Sequence, residues 1–235
     1  MNQKTIAILT IGQTPRRDIT QDLRRFLPEE IHLTEYGALD GLTAEQAEEQ
    51  FGYRGRGELL ITRIGSQGRM ITVSGERIMS HMQTCIDRAE TDGAQLLLMA
   101  CTGIFPDYRH RVPLLLPGAG QRVHTLERAA GRPVGVVIPN LSQQGQIARW
   151  WKASGAQTTL LEAADPFGDS GQVLQAALRL KEAGARVLCL DCFGYTAAQR
   201  EAVAQATGLE TVLPRAVLCQ MAQRLLFNSE VRCGI

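Results

Sequence analysis

Residues 93–103, GAQLLLMACTG, align without gaps on residues 184–194, GARVLCLDCFG. Each copy carries Gly-Ala where a helix would stop, an apolar run the length of one buried strand, and Cys-x-Gly where that run ends. A second likeness lies upstream, where residues 6–11 resemble 134–138 as the opening strand of a half. Two copies of one strand-and-turn unit, each behind its own opening strand, point to a chain built from two pseudo-symmetric halves. The spacing differs because the first half holds an extra segment near residues 38–75.

Short apolar runs alternate with amphipathic stretches along the rest of the chain. Residues 6–11, 31–36, 95–100, 134–138, 158–161, 187–191 and 211–213 read as strands, several of them apolar on both faces, as strands of a helix-covered parallel sheet should be. Residues 16–26, 76–90, 142–154, 171–182, 197–207 and 214–227 read as helices, and Gly93, Gly155, Gly184 and Gly208 stand where C-terminal glycines end them. The expected fold is α/β, with two Rossmann-like halves, mostly parallel sheets, right-handed crossovers and a cleft between the halves. Residues 1–115 with 214–235 form the first half and 116–213 the second. Within 38–75 the pattern predicts a short helix over 43–50 and a hairpin of strands 59–62 and 70–73, serving either as rigid packing or as a lid.

Composition narrows the partners. Twenty-five Lys and Arg against 24 Asp and Glu leave a net charge of +1, with no basic excess to drive nucleic-acid or membrane-surface binding. Hydrophobic residues at 44% fit a globular chain, and no stretch approaches the roughly 18 unbroken apolar residues of a membrane span. The apolar run at 6–11 is shorter than the about 7–15 residues of a secretory h-region. The expected compartment is therefore the cytoplasm, where cysteines 85, 101, 189, 192, 219 and 233 would stay reduced. Trp150, Trp151 and the apolar tail allow a homodimer, with core packing as the alternative use of the two tryptophans.

The candidate chemistry sits at the two Cys-x-Gly turns. Ligands of open parallel sheets bind beyond the carboxyl ends of the strands, so Cys101 and Cys192 would face a cleft mouth. There Gly103 and Gly194 allow close backbone approach, and N–H groups can cradle a carboxylate. Two thiols on opposite faces of one carbon suit a two-base proton transfer. Each cysteine taken alone reads by default as a buried structural thiol, and it is the matched pair that favours chemistry. Cys189-x-x-Cys192 does not read as a redox or zinc pair, since residues three apart on a strand face opposite ways and no second such pair supplies four ligands. By the same alternation Asp191 should face away from Cys192.

Other candidates keep two readings. Arg16 follows Pro15 at a helix start, where positive charge is unfavourable unless an anion is near, so it is either a carboxylate ligand or a solvated residue. Asn140 is a helix N-cap or a ligand contact. Tyr195 either hydrogen-bonds in the cleft or packs behind Cys192. His110 and His124 read as surface residues, and Gly118-x-Gly120 lacks the spacing of a dinucleotide-binding fingerprint.

The opening TIGQTPRRD at 10–18 and the later LDCFGY at 190–195 resemble the AroM protein family, which is related more distantly to the aspartate/glutamate racemase superfamily. That resemblance implies a small-molecule substrate and chemistry without cofactor or metal, with Cys101 and Cys192 as the acid/bases. Thr102, Gly103, Phe193 and Gly194 would then bind a substrate carboxylate or carbonyl, and Gly12, Gln13 and Arg16 would form another wall of the cleft. The superfamily includes cofactor-independent amino-acid and hydantoin racemases, maleate isomerase and arylmalonate decarboxylase. Amino-acid racemases carry a polar residue after the second cysteine; here Phe193 replaces it, which points to a less polar or cyclic substrate.

Overall fold

The computed structural model describes residues 4–65 and 68–227, so Cys233 lies outside the described residues. The chain divides into two units, 1–116 with 221–235 and 117–220.

Unit 1 is organised by strands β1 (Thr5–Thr10), β2 (His32–Gly37), β5 (Leu96–Met99) and β6 (Leu114–Leu115), in the order β2-β1-β5-β6, every pairing parallel. Helix α1 (Arg17–Leu23) joins β1 to β2. Then come α2 (Ala44–Phe51), an antiparallel hairpin of β3 (Leu59–Ile64) and β4 (Arg69–Ser74), and the long helix α3 (Gly75–Thr91). Unit 2 repeats the scheme with β7 (Val134–Ile138), β8 (Thr159–Ala163), β9 (Val187–Leu190) and β10 (Glu210–Val212), in the order β10-β9-β7-β8. Its helices are α4 (Pro117–Ala129), α5 (Gln144–Ala153), α6 (Ser170–Glu182) and α7 (Ala197–Thr207), and the last helix, α8 (Pro214–Phe227), starts here. With β1 matched to β7, β2 to β8, β5 to β9 and β6 to β10, the two sheets have the same strand order. The expected α/β fold with two mostly parallel sheets is the fold observed.

Local chemistry explains most boundaries. Thr43 and Thr196 open α2 and α7 with capping boxes closed by Gln46 and Gln199. Gly93, Gly155, Gly184 and Gly208 all take positive φ where helices end. The central strands β5, β7 and β9 are buried at every residue, because helices cover both faces of each sheet. Gly135 in β7 has no room for a side chain: a Cβ there would meet Leu188 at 2.7 Å and Ala185 at 2.8 Å.

Two elements escaped the sequence pattern. β6 is only two residues long, too short to show a period. Helix α4 begins at Pro117 and runs through Gly118 and Gly120, breakers that masked it although proline suits the first helical position.

Candidate functional site

The two Cys-x-Gly turns leave their sheets in the same way. Ala100, just past β5, donates its N–H to Leu9 of β1 at 2.7 Å; Asp191, just past β9, donates to Val137 of β7 at 2.8 Å. Cys101 and Cys192 follow immediately, and both are half-buried. Cys85, Cys189 and Cys219 are buried. Burial and then the charge of Asp40 push the Cys85 thiol up to about 11, while burial and then Asp191 raise Cys189 well above its usual range, so both stay protonated.

In unit 1, apolar side chains lie against Gly103, two residues past Cys101. A Cβ placed on Gly103 would lie 3.6 Å from the Cys101 sulfur, 3.4 Å from Leu60 of β3 and 3.6 Å from Met79 of α3. Tyr108 donates its hydroxyl to the Met79 carbonyl at 2.8 Å, and burial, then Cys101 and Cys85, push its phenol up. The loop beyond Cys101 is strapped to α3. Gln83 exchanges hydrogen bonds with the backbone of Arg109, and the Glu90 carboxylate accepts from the N–H groups of Arg111 and Val112 and from the Arg111 guanidinium. Burial alone would raise the Glu90 pKa, but these hydrogen bonds outweigh it and hold the carboxyl below its ordinary value.

In unit 2 the turn is tighter and more polar behind. Gly194 donates its N–H to the Cys192 sulfur at 3.3 Å. A Cβ on Gly194 would meet Pro166 at 2.8 Å and Phe167 at 2.9 Å, so only glycine lets the loop after β8 close on the turn. Asp191 is 1% exposed, and its carboxylate accepts from Gln121 of α4 and from the Trp151 indole of α5 at 2.7 Å. Trp151 is thus both core and hydrogen-bond donor. Arg215 of α8, fully buried, donates to the carbonyls of Phe193 at 2.7 Å and Gly194 at 3.3 Å.

The structure gives several named candidates other work. Gln13 spends its amide on unit 1 itself, donating to the carbonyls of Leu39 and Leu42 and accepting from the Gly65 N–H at 2.7 Å, while its backbone N–H reaches Arg63. Gly12 lies against the hairpin, where a Cβ would meet the Thr62 hydroxyl at 2.4 Å. Both brace the hairpin onto the loop after β1, which gives the hairpin a packing role. Arg16 is 9% exposed and holds Asp18, in the first turn of α1, through two bonds of 2.9 and 2.8 Å. Asn140 caps the short 3₁₀ turn Leu141–Gln143 by accepting from Ser142. Tyr195 is fully buried and donates to the Ala164 carbonyl at 2.6 Å, behind the turn rather than at its mouth. Phe193 turns inward, 3% exposed, its ring centroid 5.6 Å from the Arg215 guanidinium. Thr102 and Gly103 are buried beside Cys101.

Arg215 was missed in the sequence. The signal was present: a cation in the first turn of a helix, the same anomaly that singled out Arg16. Among the described residues no group of three or more His, Cys, Asp and Glu side chains is placed to hold a metal ion. Nor is any described helix long and apolar enough to cross a membrane.

The family model for the AroM protein matches residues 6–226. The chain belongs to the AroM family. No curated protein sequence matches this AroM chain. Among solved structures, its fold is similar to that of an allantoin racemase from Klebsiella pneumoniae, with 12% identity, a TM-score of 0.66, and coverage of 96% of this chain and 89% of that one. A glutamate racemase from Bacillus anthracis gives 13% identity and a TM-score of 0.61 over 98% and 84% of the two chains. A maleate cis-trans isomerase from Nocardia farcinica, with a covalently bound succinylcysteine intermediate, gives 12% identity and a TM-score of 0.57 over 95% and 92%. At these identities the likeness establishes that the AroM chain has the aspartate/glutamate racemase fold.

Proposed function

We propose that this AroM protein is a cofactor-independent racemase or epimerase of a small substrate bearing a carboxylate or carbonyl, such as an amino-acid derivative or a hydantoin-like ring. The observation that carries the reading is the matched pair of half-buried thiols, Cys101 and Cys192, at equivalent strand ends of two sheets with one topology. The fold shared with an allantoin racemase and a glutamate racemase supports it.

The chemistry follows from the thiols. One cysteine, as thiolate, takes the proton from the carbon next to the carbonyl, and the electron pair passes into the carbonyl oxygen. Backbone N–H groups of the Cys-x-Gly turns are suited to hold that developing charge. The other cysteine, as thiol, returns a proton to the opposite face of the carbon and becomes the thiolate, so configuration inverts and no atom is lost. The reading requires both sulfurs to reach one carbon from opposite sides.

A second reading uses Cys192 alone, for isomerisation or decarboxylation. It is favoured by the N–H that Gly194 donates to the Cys192 sulfur, a bond that supports the thiolate form. The succinylcysteine in the cysteine-to-serine mutant of the Nocardia isomerase supports covalent bonding of a substrate to one cysteine on this fold.

Deuterium wash-in separates these readings. Amino acids, hydantoins and 2-substituted acids are incubated with the protein in heavy water, following loss of the α-proton by NMR and inversion by chiral chromatography. The expected result is exchange with inversion, with Cys101→Ser and Cys192→Ser each losing about 10²–10⁴-fold in racemisation. Wild type that exchanges without inversion, with exchange kept in Cys101→Ser and lost in Cys192→Ser, favours the one-cysteine reading. Unchanged turnover in Cys192→Ser, or binding with no exchange in wild type, overturns both.

A further inference from the structure

We propose that Arg215 is a positioning residue that stabilises the Cys192 thiolate through a single peptide group. The Phe193 carbonyl and the Gly194 N–H are opposite ends of one amide. Arg215 donates its Nε–H to the carbonyl end at 2.7 Å, and the N–H end donates to the Cys192 sulfur at 3.3 Å. Its Nη2 reaches the next carbonyl, that of Gly194, at 3.3 Å, which fixes the plane of the guanidinium against the turn. A positive charge on the oxygen end polarises the amide and makes its N–H a stronger donor to an anion, a cooperative effect that strengthens in low dielectric. Because Arg215 is fully buried, the field of its charge is little screened by water. A guanidinium does not titrate in the working range, so this support is constant with pH, and the titration read at the turn is that of the thiol.

Other groups around the turn set the background. Asp191 opposes the effect, and its carboxylate is held by Gln121 of α4 and Trp151 of α5. Tyr195 and Cys189 stay neutral, since burial raises both well above their usual values. Asp165, in the loop after β8, acts on Tyr195, and Arg122 of α4 acts on Cys189.

The inference concerns the sulfur used in the proposed function, and its catalytic meaning rests on that reading. Its test does not. The full-length protein is alkylated with iodoacetamide across pH 5–10, and modification at Cys192 and Cys101 is quantified separately by peptide mass spectrometry. In Arg215→Gln the pH midpoint at Cys192 is expected to rise by about one unit, the lower end of what an opposite charge supplies, with the Cys101 profile unchanged. Arg215→Lys keeps the charge but cannot span both carbonyls in one plane, so its midpoint should fall between those of wild type and Arg215→Gln. If Arg215→Gln does not fold, an upward shift in Arg215→Lys confined to Cys192 carries the inference. Folded variants with the wild-type midpoint at Cys192, or with equal shifts at both cysteines, overturn it. Absence of turnover with every substrate would sink the proposed function and leave this result standing.

Discussion

Ala100 and Asp191 occupy the same place in their sheets, each tying a strand end to the central strand, and each is followed by a cysteine and, two residues on, a glycine. Behind Ala100 there is only a methyl group, and the turn that follows is held from outside, by Leu60 and Met79 and by a loop strapped to α3. Behind Asp191 there is a buried carboxylate with two donors, and the turn is held from inside, by Arg215 on its carbonyls and by the loop after β8 closing on Gly194. One backbone plan thus supports two unlike thiol environments. Duplication fixes where a cysteine stands; the side chains behind the turn decide what surrounds it.

That contrast can be broken most severely at Asp191. Asp191→Ala copies Ala100 into unit 2 and leaves the Gln121 and Trp151 donors buried without their acceptor, at a cost of about 1–3 kcal/mol for each. Both tryptophans of the chain lie in α5 of unit 2, so urea unfolding followed by tryptophan fluorescence reads this loss directly. An unchanged midpoint would mean that the carboxylate contributes nothing that alanine does not.

The two glycines sharpen the contrast at smaller cost. Gly194→Ala forces a Cβ to within 2.8 Å of Pro166 and should destabilise by about 1–3 kcal/mol. Gly103→Ala meets its neighbours at 3.4 Å or more and should stay within about 0.5 kcal/mol of wild type. Equal costs in the two variants, measured by urea midpoint, would show that the turns are held alike.

The smallest effect belongs to the strap of unit 1 and depends on pH. Because folding lowers the Glu90 pKa, its contribution is fully present above the unfolded carboxylate value of about 4.3 and is lost as pH falls through the folded value. Glu90→Gln should therefore be less stable than wild type at neutral pH, with the gap closing in acid. Hydrogen exchange at the amides of Arg111 and Val112 checks the same point locally, since both donate to Glu90.

Where the sequence misled, the cause was consistently a side chain with more than one satisfiable partner. Gln13 and Arg16 carry the polar groups that a ligand would want, but an amide or guanidinium bonds equally well to Gly65 or Asp18, and local order along the chain does not say which lies nearer. Phe193 reads as a statement about substrate, and its ring also lies near Arg215. Tyr195 and Asn140 resolved toward packing and capping for the same reason.

The sequence by itself determined the α/β class, the two-sheet plan and the strand ends where Cys101 and Cys192 emerge. Those follow from hydrophobic period, helix caps and a repeated segment, all of which are properties of neighbouring residues. Only the tertiary structure decided that Arg215 stands behind Phe193 and Gly194, that Trp151 and Gln121 hold Asp191, and that Leu60 lies against Gly103. Each of those contacts joins residues separated by at least 21 positions. Chain-local pattern carries no information about which distant donor meets which acceptor, because that pairing is set by how the helices and the hairpin pack on the sheets.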